Sequence, residues 1–74
     1  MQSTKKVFRV NRSDINYLRT TIESYDGMAV VRTIDPFEAY IEIRISPGCE
    51  NLVYELLDSL VKDEWLDLKE TPSV

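Results

Sequence analysis

The sequence predicts a small α+β domain in which one antiparallel sheet packs against two helices. The 74 residues are enough for a single hydrophobic core. Hydrophobic residues make up 43% of the chain and charged residues 30%, which is the balance of a chain that folds. Apolar residues alternate in some segments and recur every three or four residues in others, so both strands and helices are expected.

The chain opens with a predicted strand followed by a predicted helix. The strand covers residues 6–10, where apolar and polar residues alternate. The helix should begin at a cap formed by Asn11, with Asp14 returning the bond, or alternatively at Ser13. Its apolar stripe would consist of Ile15, Leu18, Ile22 and Tyr25. Gly27 is expected to end the helix because glycine readily adopts the left-handed conformation.

Two further strands and a second helix are predicted next. The strands cover residues 28–34 and 39–45, joined by a turn at residues 35–38 that contains Pro36. The later strand would point Ala39, Ile41, Ile43 and Ile45 into the core, and Tyr40, Glu42 and Arg44 away from it. A break at residues 46–50 then opens a helix whose apolar residues are Leu52, Val53, Leu56, Leu57, Leu60 and Val61.

The end of the domain allows two interpretations. Residues 65–69 alternate briefly and predict a fourth strand, although they would also suit the frayed end of the second helix. The element order is therefore βαββα(β), which is typical of a ferredoxin-like two-layer sandwich with both helices on one face of the sheet. We expect a single domain over residues 6–69, with flexible termini at residues 1–5 and 70–74.

The charge balance limits the classes of partner. Nine basic and thirteen acidic residues give a net charge of −4, which makes nucleic acid an improbable partner. No apolar run reaches the roughly 18 residues of a membrane span, so no membrane association is expected. Residues 1–6 lead into the first strand without the apolar stretch of a signal peptide, and a cytoplasmic location is therefore expected.

The sequence offers few groups for catalysis. It has no histidine, no glycine-rich phosphate loop, no nucleophile elbow and no metal-ligand spacing. We therefore expect no catalytic residue, no bound metal and no cofactor, and the protein is not predicted to be an enzyme. The single cysteine, Cys49, cannot form an internal disulfide. It would either fill space in the first turn of the second helix or be a thiol activated by the helix dipole.

The outward face of the sheet is the first candidate binding site. An unpaired guanidinium is costly to bury, so Arg32 is expected to point away from the core. Arg9, Arg32 and Arg44 would then share one surface with Tyr40, and two valines would lie among them. This face would combine positive charge, an aromatic ring and apolar area on an otherwise acidic protein.

Four interpretations of this face remain open. It would be a solvated surface on which Arg9 or Arg44 pairs with Glu42, or a homodimer contact. It would otherwise bind an anionic small molecule or an acidic protein partner through its arginines. The fourth interpretation is an RNA platform on which Tyr40 stacks a base.

Several segments together resemble a known family. They are residues 9–18, 25–29, 33–36 and 45–48, the last followed by a leucine-rich helix. Over about residues 6–65 the chain is similar to the small bacterial domain of unknown function 4911. This resemblance implies a stand-alone ferredoxin-like module that is similar in plan to ACT regulatory domains, which bind amino acids at subunit interfaces. No catalytic residue is carried over.

The comparison with ACT domains leads to a second candidate site. Between the first strand and the first helix, Asn11, Arg12 and Ser13 stand in place of a glycine-containing ligand loop. Two functions therefore remain open. One is a non-catalytic module that associates with itself or with a partner through Arg9, Arg32, Tyr40 and Arg44. The alternative is a regulatory domain that binds an amino acid or organic anion near Asn11, Arg12 and Ser13.

Overall fold

The computed structural model describes residues 4–25 and 27–71. The described chain forms, in order, β1 (Thr4–Arg9), a short 3-10 helix (Arg12–Asp14), α1 (Ile15–Glu23), β2 (Ala29–Asp35), β3 (Tyr40–Ile45), α2 (Glu50–Glu64) and β4 (Lys69–Thr71). The strands form one antiparallel sheet in the order β2-β3-β1-β4, so β1 and β3 are central as the sequence predicts. This arrangement confirms the predicted α+β fold and is compatible with a ferredoxin-like sandwich.

The core lies between the sheet and the two helices. Ile41, Ile43 and Ile45 of β3 are fully buried, as the alternation predicts. They belong to one cluster with residues of both helices, which are Leu18, Ile22, Val53, Leu57 and Leu60. Both helices therefore cover the same face of the sheet, and the opposite face is open. Neither helix of the described chain has the length and apolar composition needed to cross a membrane.

The fourth strand exists but lies further along the chain than predicted. Trp65 has a left-handed backbone with φ of 61°, and this conformation ends α2. The amides of Trp65 and Leu66 both donate to the carbonyl of Leu60, so residues 65–68 form the link that leaves the helix. The strand itself begins at Lys69 and includes Glu70 and Thr71, which the sequence placed in the tail. Residues 72–74 lie outside the described residues.

The N-terminal boundary also differs from the prediction. The first strand begins at Thr4, two residues before its predicted start, because residues 4 and 5 pair with the end of β3. The predicted cap at Asn11 is wrong, since the short 3-10 helix intervenes and neither Asn11 nor Asp14 makes a capping bond. The side-chain nitrogen of Asn11 instead donates to a carboxylate oxygen of Asp14 at 3.5 Å.

In both helices the central residues of the predicted apolar stripe are buried, whereas residues at its ends are exposed. The first helix ends at Glu23, so Tyr25 lies beyond it and is exposed. Gly27 has the expected left-handed backbone, with φ of 71°. In α2 the outer members of the stripe, Leu52 and Val61, are also exposed. A sheet only four strands wide covers a narrow band of each helix, and residues at the margin of a broad stripe remain in water.

Candidate functional site

The open face of the sheet carries three rows of side chains, because directly opposite residues in an antiparallel ladder point to the same side. The rows are Val30, Arg44 and Lys5; then Arg32, Glu42, Val7 and Thr71; and then Asp35, Tyr40, Arg9 and Lys69. We call these residues the basic face. The structure thus brings together Arg9, Arg32, Tyr40 and Arg44, the four residues that the sequence predicted for this surface. It adds Lys5 and Lys69 at two corners.

The basic face has an excess of positive charge. It holds five cationic side chains and two carboxylates, whereas the whole chain has a net charge of −4. One of the carboxylates, Asp35, is already engaged, because its Oδ1 accepts hydrogen bonds from the amides of Phe37 and Glu38. Arg32 and Arg44 are exposed and form no ion pair within the described part of the chain. Their charges are therefore available to an anionic partner.

Arg9 is the most constrained cation of the basic face. One of its guanidinium nitrogens lies 3.5 Å from a carboxylate oxygen of Glu38. The guanidinium carbon lies 5.8 Å from the centre of the Tyr40 ring, a distance typical of a cation–π contact. The interpretation in which Arg9 or Arg44 pairs with Glu42 is wrong, because neither pair is among the ion pairs of the described residues and Arg9 pairs with Glu38 in the adjacent turn instead.

A cleft opens at the end of the sheet where β1 leaves it. This end cleft has a volume of about 890 Å³ and is lined by Arg9, Val10, Asn11, Arg12, Ser13, Phe37, Glu38, Ala39, Asp67 and Lys69. The loop residues predicted as an alternative ligand site therefore lie beside the basic face. Arg9 and Lys69 belong to both surfaces, so the two candidate sites are continuous.

The turn between β2 and β3 forms one wall of the end cleft and was missed as a functional element. Phe37 is 80% exposed. The residue before it is Pro36, which fixes the backbone, and Ala39 has a left-handed φ of 61°. The amide of Val10 donates to the carbonyl of Ala39 at 2.9 Å, which ties the turn to the end of β1. The available sequence signal was an aromatic residue placed directly after a turn proline.

The edge of the sheet at β2 is protected by α1. The amide of Val31 points away from β3 and donates to a carboxylate oxygen of Glu23 at 3.0 Å. On the same edge, a guanidinium nitrogen of Arg19 donates to the hydroxyl of Thr33 at 3.3 Å. An unpaired strand edge is a template for pairing with another chain, and the Glu23 carboxylate occupies one backbone amide of that template.

A hydrogen bond joins the two helices at the outer surface. The hydroxyl of Tyr17 donates to a carboxylate oxygen of Glu64, and both residues are exposed. This bond favours the protonated phenol and raises the pKa of Tyr17 above its ordinary value, with smaller contributions from partial desolvation and from the negative charge of Glu64. The bond couples the start of α1 to the end of α2.

The remaining candidates for chemistry contribute less. Cys49 is partly buried against the core at the start of α2, which fits the space-filling interpretation of this residue. Within residues 4–25 and 27–71, no group of three carboxylate or thiol side chains is placed to hold a metal ion. The residues that the sequence predicted for binding all lie on the basic face or in the end cleft.

Comparison with known proteins identifies one family. No curated protein and no solved structure gives a match. The model of one family, described as Domain of unknown function (DUF4911), matches residues 8–63. The matched segment runs from the last two residues of β1 almost to the end of α2, and so contains β2, β3, the first helix and nearly all of the second. The chain belongs to this family.

Proposed function

We propose that this protein is a non-catalytic, cytoplasmic binding module that recognises an acidic segment of a partner protein through the basic face. The observation that carries the proposal is the charge of this face, where five cations and two carboxylates lie on a sheet surface that no helix covers. Complementary charge gives such an interface its orientation and its association rate.

The same charge argues against pairing of two basic faces. A two-fold axis would place each cationic patch against its own copy, and juxtaposed like charges oppose association. An acidic partner is therefore favoured over a homodimer as the occupant. Self-association is retained as an outcome that the experiments below distinguish.

Tyr40 supports a protein partner over a nucleic acid. Base stacking requires an accessible aromatic ring, and Arg9 lies over the Tyr40 ring at 5.8 Å from its centre. Tyr40 itself is half-buried. The net charge of −4 would also repel a phosphate backbone outside the immediate contact.

The proposal is tested by titrating the protein into a fluorescein-labelled, glutamate-rich peptide and following fluorescence anisotropy. Binding should weaken as salt is raised, because exposed charges are screened beyond about 10 Å at roughly 0.1 M ionic strength. Arg32→Glu and Arg44→Glu should each weaken binding by about 3- to 10-fold, since each replaces an attraction by a repulsion.

Lys62→Glu is the matched control for these charge reversals. It makes the same change in net charge, but Lys62 lies on α2, where its amine pairs with Asp58 at 3.0 Å. Its affinity for the peptide should stay close to that of the wild type. Equal losses in all three variants would show that only net charge matters, and the basic face would then lose its assigned role.

The end cleft favours a second candidate function, regulation by a small organic anion or amino acid. Its volume of about 890 Å³ lies within the range of small-molecule sites, and Arg12 and Lys69 line it without a described ion-pair partner. A thermal-stability screen tests this function, because a ligand at about 100 times its dissociation constant stabilises by about 2.7 kcal/mol. Any shift should disappear in Arg12→Gln; a shift that persists would place the ligand elsewhere.

A further inference from the structure

We infer that the turn at Phe37 is the specificity anchor of the basic face, and that the acidic segment bound there carries an aromatic or large aliphatic residue that packs on the Phe37 ring. This inference rests on the proposed function and goes beyond it, because it assigns a second chemical requirement to the partner.

The turn is held in one conformation by its own bonds. Oδ1 of Asp35 accepts from the amide of Phe37 at 3.0 Å and from the amide of Glu38 at 3.1 Å. The carbonyl of Ala39 accepts from the amide of Val10 at 2.9 Å. Ordering entropy is one of the main costs of binding, and a turn that is already fixed avoids much of it.

The Phe37 ring projects from this fixed turn with 80% of its surface exposed. The left-handed backbone of Ala39, two residues later, is unfavourable for any side chain with a Cβ, and such local strain is concentrated at functional sites. Interface affinity usually depends on a few aromatic or arginine residues set among weaker contacts. Phe37 has the properties of such a residue.

The neighbours of Phe37 specify the charge of the partner. Arg12 and Lys69 line the same cleft and form no ion pair within the described residues, and Arg9 joins the cleft to the basic face. Two carboxylates also line the cleft, Asp67 and the Glu38 that pairs with Arg9, so the three cations are in excess by one. A peptide in the cleft therefore contacts both an exposed aromatic ring and an excess of cations. An acidic segment with one large apolar residue complements this combination of groups.

Two labelled peptides of equal length and glutamate content test the inference. They differ at one position, which is glycine in the first peptide and phenylalanine in the second. The wild-type protein should bind the phenylalanine peptide about 3- to 10-fold more tightly, which is the effect expected of an aromatic pair. Phe37→Ala should bind both peptides equally, with the affinity of the wild type for the glycine peptide.

Trp65→Ala is the matched control, because Trp65 is also highly exposed but does not line the cleft. This variant should keep the preference for the phenylalanine peptide. Equal wild-type affinities for the two peptides would overturn the anchor and leave the acidic-partner proposal standing. A preference that survives Phe37→Ala would also overturn it. Failure of both peptides to bind at low salt would overturn both proposals.

Discussion

Two residues, Ala39 and Trp65, adopt a left-handed backbone that is ordinarily occupied by glycine. Each has φ of 61°. For residues with a Cβ this conformation costs about 1–2 kcal/mol relative to the right-handed one. Ala39 closes the turn that presents Phe37, and Trp65 ends α2 and begins the link to β4. Both strained positions therefore set the geometry of the end of the molecule that carries the cleft.

Trp65→Gly should stabilise the protein. The side chain is 88% exposed, so its loss removes little packing, whereas glycine relieves the left-handed strain. We expect a gain of up to about 1 kcal/mol, which raises the melting temperature of a domain of this size by about 4–8 °C. Melting curves from circular dichroism provide the measurement. Trp65→Ala, which keeps a Cβ, should melt near the wild-type temperature, and a destabilised Trp65→Gly would refute this explanation of the backbone.

The Tyr17–Glu64 bond makes a prediction about titration. The bond raises the pKa of Tyr17 in the folded protein above its ordinary value near 10. Its contribution to stability is therefore complete below about pH 10 and is lost as the pH rises through the folded pKa. Glu64→Ala should return the pKa of Tyr17 towards the ordinary value.

This titration is measured by tyrosinate absorbance, with the Tyr17 signal assigned by difference from Tyr17→Phe. If the pKa of Tyr17 is the same in Glu64→Ala as in the wild type, the Tyr17–Glu64 bond does not form in solution.

At the scale of elements, the alternation in β3 and the apolar spacing in the helices predicted the position of the core, and the order of strands and helices predicted that β1 and β3 are central. Burial of one face by two helices leaves few ways to arrange such elements. The position of β4 could not be predicted, because it depends on the left-handed turn at Trp65, a residue that rarely adopts it. Local pattern contains no information on that choice.

For the candidate sites too, one part could be predicted from the sequence and another part could not. Membership of the basic face follows from the strand period and from the cost of burying the Arg32 guanidinium, so Arg9, Arg32, Tyr40 and Arg44 could be predicted together. The partners of those residues could not. Arg9 turns to Glu38 because a hairpin turn brings that carboxylate within 3.5 Å, and this distance depends on the register of the sheet. The continuity of the face with the end cleft is likewise a property of the folded chain.

The edge strand β2 gives a prediction at the scale of elements. Glu23→Ala should speed hydrogen exchange of the Val31 amide and lower stability by about 1 kcal/mol, because that amide loses its acceptor. Glu23→Gln retains an acceptor oxygen and should largely preserve the protection. If exchange at Val31 is the same in Glu23→Ala as in the wild type, α1 does not shield this edge.

At the scale of the whole molecule, charge is distributed unevenly between the two layers. The chain is acidic overall, with a net charge of −4, yet its open sheet face is cationic. The uncovered face is therefore suited to an anionic occupant, and the helical layer is not. A small domain with a limited core also gains stability when a partner covers part of its surface.

Light scattering over a concentration series should give the mass of a monomer, 8.6 kDa, at low salt. Repulsion between basic faces is strongest under those conditions, so face-to-face dimers should be least stable there. A stable dimer whose mass changes in Arg32→Glu would favour a self-association surface and would move the search for a ligand to the subunit seam.

Chemical-shift mapping reports directly which residues contact an acidic peptide. The glutamate-rich peptide is titrated into isotopically labelled protein at low salt. If the basic face is the binding surface, the largest shift changes occur at the amides of Val30, Arg32, Glu42 and Arg44, while those of the outer surface of α2 stay unchanged. Shift changes concentrated on the helices, or none at all with saturating peptide, would contradict the assignment of the basic face as the binding surface.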